Sequence, residues 1–162
     1  MAAFLAFTGV ITTIDDFWKI YRGKPGCNKL ISVENKMGRL INFIITPTTY
    51  FVDHVMVTEG DTVTGFYNAN APAPLIFPPQ LRAIVMAKAT PKQTVKVDYF
   101  NSQLVSSDGR LKLNITSTTQ IKLENGQRFP QNPANRDLIV VYGATTRSIP
   151  AQTTPDQIIV MC

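Results

Sequence analysis

Short runs rich in Val, Ile and Thr recur along the chain, each closed by a cluster of Gly, Pro, Asn or Asp. β-Branched side chains are stiff at χ1 and fit a pleated, half-buried surface, so such runs predict strands. The runs fall at 7–14, 28–34, 39–46, 61–67 and 82–87, then at 95–99, 110–115, 120–124, 138–142 and 157–161. Turn chemistry separates them, as in Asn35-Lys36-Met37-Gly38, Ser107-Asp108-Gly109 and Glu124-Asn125-Gly126. Strands this short at this spacing predict an all-β sandwich or barrel. No long amphipathic helix is predicted; residues 15–21 suit a helical turn or two.

The pattern repeats within the chain. Gly38-Arg39-Leu40 followed by Ile45-Thr46-Pro47-Thr48-Thr49 matches Gly109-Arg110-Leu111 followed by Ile115-Thr116-Ser117-Thr118-Thr119, with one extra residue in the first copy. Downstream, Asp61-Thr62-Val63-Thr64-Gly65-Phe66 lies against Asp137-Leu138-Ile139-Val140-Val141-Tyr142, and Ile84-Val85-Met86 against Ile159-Val160-Met161. Matches in the same order at a near-constant spacing indicate duplication. They divide the chain into a first repeat, 1–90, and a second, 91–162, with Pro91 interrupting strand pairing at the junction. Each half has the strand count of a small Greek-key or OB-like barrel, and closure would hide edges that otherwise recruit other chains. The expected architecture is two tandem OB-like barrels packed as a pseudo-dimer.

Composition narrows the picture. With 17% charged and 44% hydrophobic residues in 162, the chain lacks the low hydrophobicity and high net charge that disorder needs. No apolar run reaches the roughly 20 residues that span a bilayer. The amino-terminal Met1–Phe7 stretch is apolar but has no basic region before it, so it predicts structure rather than a signal peptide, and gives no localisation. The net charge of +5 is spread over both halves without the dense basic stripe of a dedicated nucleic-acid binder.

Little catalytic chemistry is present. His54 follows Asp53, but strand neighbours point to opposite faces, so the carboxylate is poorly placed to orient an imidazole base. Asp15-Asp16 suits a cap on the turn before Phe17-Trp18 better than hydrolysis. A phosphate loop, a nucleophile elbow and a metal-spaced Cys or His set are all missing, so no enzyme, metal or cofactor is expected. Cys27 and Cys162 are either free thiols or crosslinks within or between chains. Residues 17–29 hold the single Trp and four cations without an acid; Trp18, Lys19, Tyr21, Arg22, Lys24 and Lys29 form a candidate binding set, since stacking plus cations is what a single strand requires. A plug of Trp18 in the barrel end, with solvated lysines, explains the same residues.

The stretch 61–80, from Asp61-Thr62-Val63 through Asn70-Ala71-Pro72-Ala73-Pro74 to Pro78-Pro79-Gln80, resembles an uncharacterised family of Gram-positive bacterial β-domain proteins. So do Asn132-Pro133-Ala134-Asn135-Arg136 and 142–152. The resemblance implies a β-barrel and, through relatives fused to cell-wall-associated domains, surface biology; it implies no activity. Low charge, strand-rich repeats, an apolar terminus and a terminal Cys together predict a non-catalytic, self-assembling structural subunit, surface-displayed or fibre-like. Its partner would be itself, with Phe4, Leu5 and Phe7 docking on a neighbouring subunit and Cys27 and Cys162 reinforcing the contact. The alternative is an OB-type module binding single-stranded nucleic acid or an acidic oligosaccharide.

Overall fold

The computed structural model describes residues 3–17 and 24–162. The fold is all-β, with thirteen strands and one 3-10 turn, Val52–His54, among the described residues. The chain divides into two compact units, Phe4–Ala89 and Thr90–Cys162.

In the first unit the strands are β1 Phe4–Asp16, β2 Lys29–Glu34, β3 Leu40–Ile45, β4 Tyr50–Phe51, β5 Thr62–Asn68, β6 Gln80–Arg82 and β7 Val85–Lys88. They form one sheet in the order β4-β7-β5-β1-β2-β3-β6. Strand β1 is long enough to serve two partners, running antiparallel to β5 from Phe4 to Val10 and to β2 from Val10 to Asp16. Strands β6 and β7 are consecutive, parted only by Ala83 and Ile84. The Ala83 amide bonds to the Ile44 carbonyl and the Ile84 amide to the Phe66 carbonyl, so one stretch of chain joins β3 to β5. Inward-facing Phe7, Ile11, Ile31, Val33, Ile41 and Phe43 build the core with Val63 and Met86.

The second unit repeats this plan with β8 Thr94–Phe100, β9 Leu111–Leu113, β10 Gln120–Leu123, β11 Arg136–Tyr142, β12 Ala151–Thr153 and β13 Gln157–Val160. A four-stranded sheet runs β10-β13-β11-β8 and a two-stranded one pairs β12 with β9. The ladder types correspond: β4·β7 and β10·β13 are parallel, β5·β7 and β11·β13 antiparallel, β3·β6 and β9·β12 parallel. Phe100, Leu111, Leu113, Leu138, Val140, Ile158 and Val160 form the core.

The threonine signature is a structural device in both copies. Thr49 Oγ1 accepts from the Thr46 amide and donates to the Ala83 carbonyl at 2.8 Å; Thr119 Oγ1 accepts from the Thr116 amide and donates to the Pro155 carbonyl at 2.9 Å. Each threonine thus pins the turn after β3 or β9 to the break between the last two strands, satisfying backbone groups that no ladder reaches.

The ladders also correct the alignment of the copies. Tyr50 pairs with Val85 as Gln120 pairs with Gln157, and the Ile84 amide bonds to Phe66 as the Asp156 amide bonds to Val141. Phe66 therefore matches Val141 rather than Tyr142, and Ile84 matches Asp156 rather than Ile159. A one-residue slip reverses which face a side chain occupies. The predicted 82–87 strand is two strands, β6 and β7; β4 and β12 were not predicted at all. Asp15 and Asp16, expected to cap a helical turn, end β1 instead.

The apolar amino-terminal segment is a second correction. Phe4, Leu5 and Phe7, expected to reach a neighbouring subunit, pair in register with Asn68, Tyr67 and Gly65 of their own chain. Phe7 joins the core and packs 6.4 Å from the Phe43 ring, whereas Leu5 stays half exposed.

Candidate functional site

The predicted basic, aromatic segment is only partly visible. Trp18, Lys19, Tyr21 and Arg22 lie outside the described residues. Lys24 is exposed, and Lys29 donates to Asp16 Oδ1 at 2.5 Å, so its charge is already matched by a carboxylate across the β1–β2 ladder. His54 is exposed and meets Tyr50 edge-on at 5.7 Å, in a turn where both Asp53 and His54 have positive φ. Among the described residues no three His, Cys, Asp or Glu side chains gather to hold a metal ion, and no helix is long and apolar enough to cross a membrane.

Cys27 and Cys162 are both free and exposed, one in each unit. Each unit also carries an exposed apolar residue at the same structural position. The β3–β6 and β9–β12 ladders set Gln80 against Gln152, which brings Phe77-Pro78 into register with Ile149-Pro150. Phe77 is 90% exposed and Ile149 91%, and both peptides to the following proline are cis. In the first unit Leu75 and Ile76 extend the tip to three consecutive exposed apolar residues. In the second the tip is braced: Thr146 Oγ1 accepts from the Gln152 amide and contacts Ser148 Oγ, which donates to the Pro150 carbonyl.

The units differ in the segment after β4 and β10. Where the first unit has its 3-10 turn, the second has a hairpin in which Lys122 and Arg128 are antiparallel bridge partners. Its turn is closed by the Gly126 amide on the Leu123 carbonyl, with Gly126 at φ 85°. An open groove of about 590 Å³ runs along it, lined by Gln120, Lys122, Arg128, Phe129 and Gln131 among others. The Arg136 guanidinium lies over the Phe129 ring, 4.8 Å from its centroid. Among the described residues none of these three cations is ion-paired; the pairs present are Lys29–Asp16, Lys88–Asp61 and Lys96–Asp108. Glu124, at the turn, is not among the lining residues, and burial pushes its carboxyl above the ordinary range.

Sequence reasoning passed over this groove because its cations lie singly, at 122 and 128, and only the hairpin brings them together, with Arg136 of β11 reaching the Phe129 ring beside them. The available signal was the break in the repeat: 15 positions separate Ile121 from Arg136, against ten between their counterparts Phe51 and Asp61. No protein-family model matches the chain, and no curated protein matches it.

Proposed function

We propose that the chain is a non-catalytic structural subunit that assembles with copies of itself, built from two tandem OB-like, Greek-key barrels. Barrel closure is supported in the first unit by the continuous stretch from β6, at one end of the sheet order, to β7, near the other, whose Ala83 and Ile84 amides bond to β3 and β5. The observation that carries self-assembly is the repeated apolar tip, Phe77 in one unit and Ile149 in the other, each almost fully exposed. Three consecutive exposed apolar residues, as at Leu75–Phe77, lower solubility and lack a folding role, which marks them as functional. Two tips per chain make the subunit bivalent, and head-to-tail contacts that do not close into a ring extend into filaments.

Sedimentation velocity and electron microscopy under reducing conditions test this. Wild-type protein forms concentration-dependent oligomers, and Phe77→Ser combined with Ile149→Ser returns it to monomer with unchanged thermal unfolding. A wild-type protein that stays monomeric at every accessible concentration overturns the proposal.

A further inference from the structure

We infer that the groove on the second unit's hairpin binds a phosphorylated nucleoside, the chemistry shared by a free nucleotide and one unit of a single strand. Three features of the groove point to that ligand. First, Lys122 of β10 and Arg128 on the returning arm of the hairpin are antiparallel bridge partners, so their side chains lie side by side on one face. Like charges placed directly opposite repel, and such a pair is relieved by an anion seated between them. Second, no carboxylate lines the groove and none pairs with Lys122, Arg128 or Arg136 among the described residues, so the positive potential is uncompensated. Third, Phe129 lines the groove, and the Arg136 guanidinium, itself outside the lining, lies over its ring to make a flat element beside the cationic pair. Aromatic rings and guanidinium planes are the surfaces on which unstacked bases settle. Gln120 and Gln131 add amides that can both donate to and accept from a base edge.

An inorganic anion would use the cationic pair and leave the stack idle; a nucleotide uses both. A cavity of about 590 Å³ is in the range of small-ligand sites, and its open side leaves room for a strand to continue. The hairpin belongs to the second unit alone, so one site per chain is expected.

Fluorescence anisotropy with labelled oligo(dT), competed by AMP, inorganic phosphate and heparin, tests this on the full chain. Oligo(dT) binds in a salt-sensitive manner and AMP displaces it; AMP outcompetes phosphate because only AMP engages the stack. Lys122→Gln with Arg128→Gln weakens binding about tenfold or more and lowers the salt slope by about 0.7, the value for one phosphate no longer neutralised on a single strand. Arg136→Gln weakens AMP and leaves phosphate unchanged. Arg128→Gln alone, at an exposed hairpin position, keeps the test valid if the double variant misfolds. Displacement by phosphate as strongly as by AMP, binding of heparin in preference to oligo(dT), or no binding at low salt overturns the inference.

Discussion

Asp108 accepts from Lys96 Nζ and Ser106 Oγ, both at 2.6 Å, and from the Arg110 amide at 3.0 Å. Burial raises its carboxyl, but those three donors outweigh it and hold the group at about 2, below its ordinary 3.8. Ser106 in turn accepts from the Leu111 amide, so the carboxylate anchors the turn that leads into β9. A depressed folded value contributes stability above the ordinary value that disappears as pH falls through the folded one. Because the side chain is 39% exposed, solvent screening cuts the contribution to about 1 kcal/mol. Asp137 acts in the other sense. Burial and the charge of Asp98 raise its carboxyl, and its Oδ1 has no hydrogen-bond partner, so its contribution is present at low pH and lost as pH rises through the elevated folded value. Asp108→Asn is therefore destabilised by about 1 kcal/mol at about pH 6 and equal to wild type near pH 2. Urea midpoints across that range measure the difference, and a gap independent of pH would show that the hydrogen bonds, not the charge, matter.

Among the elements, the two cores solve one packing problem in two ways. Phe43 on β3 and Gly65 on β5 occupy the places of Leu113 and Val140 in the second unit, as the β3–β6, β9–β12, β5–β7 and β11–β13 ladders show. A Cβ built on Gly65 would fall 2.5 Å from the Phe43 ring, so the large residue demands the small one. Gly65→Val alone costs about 3 kcal/mol through overpacking, and Phe43→Leu alone about 1–2 through the cavity it leaves. Together they recreate the second unit's pair, and chemical denaturation of the double variant shows a favourable coupling of about 1–3 kcal/mol. Strict additivity would mean the two positions do not share the space. The same registers explain what the sequence reading reached. β-Branched runs and the Thr46–Thr49 and Thr116–Thr119 signatures were legible because their composition is local. Register was not, because Ile84-Val85-Met86 and Ile159-Val160-Met161 look alike, and only cross-strand hydrogen bonds reveal that Met86 matches Ile158. Strands as short as β4 and β12 contain no periodicity to detect.

At the scale of the whole molecule, valency decides what two exposed thiols can build. Cys27 lies in the first unit and Cys162 in the second, both reachable by solvent. The candidate site was less legible than the fold for a related reason: tips and cations acquire meaning only once the repeat sets Phe77 against Ile149 and the hairpin sets Lys122 against Arg128. If the apolar tips hold neighbouring chains together, their thiols meet at raised effective concentration. Oxidation by diamide then joins two thiols into one disulfide while the diazene takes up both hydrogens. A chain with two such thiols propagates, whereas a chain with one stops at a dimer. Non-reducing electrophoresis after diamide should show a ladder of multimers for wild type, a dimer limit for Cys27→Ser or Cys162→Ser, and only monomer for the double variant. Phe77→Ser with Ile149→Ser should thin the ladder without removing either thiol, because it dissolves the contact that brings chains together. A ladder of equal intensity in that variant would mean that crosslinking follows random collision, and a fast-migrating monomer in wild type would mean that the two thiols close on each other within one chain.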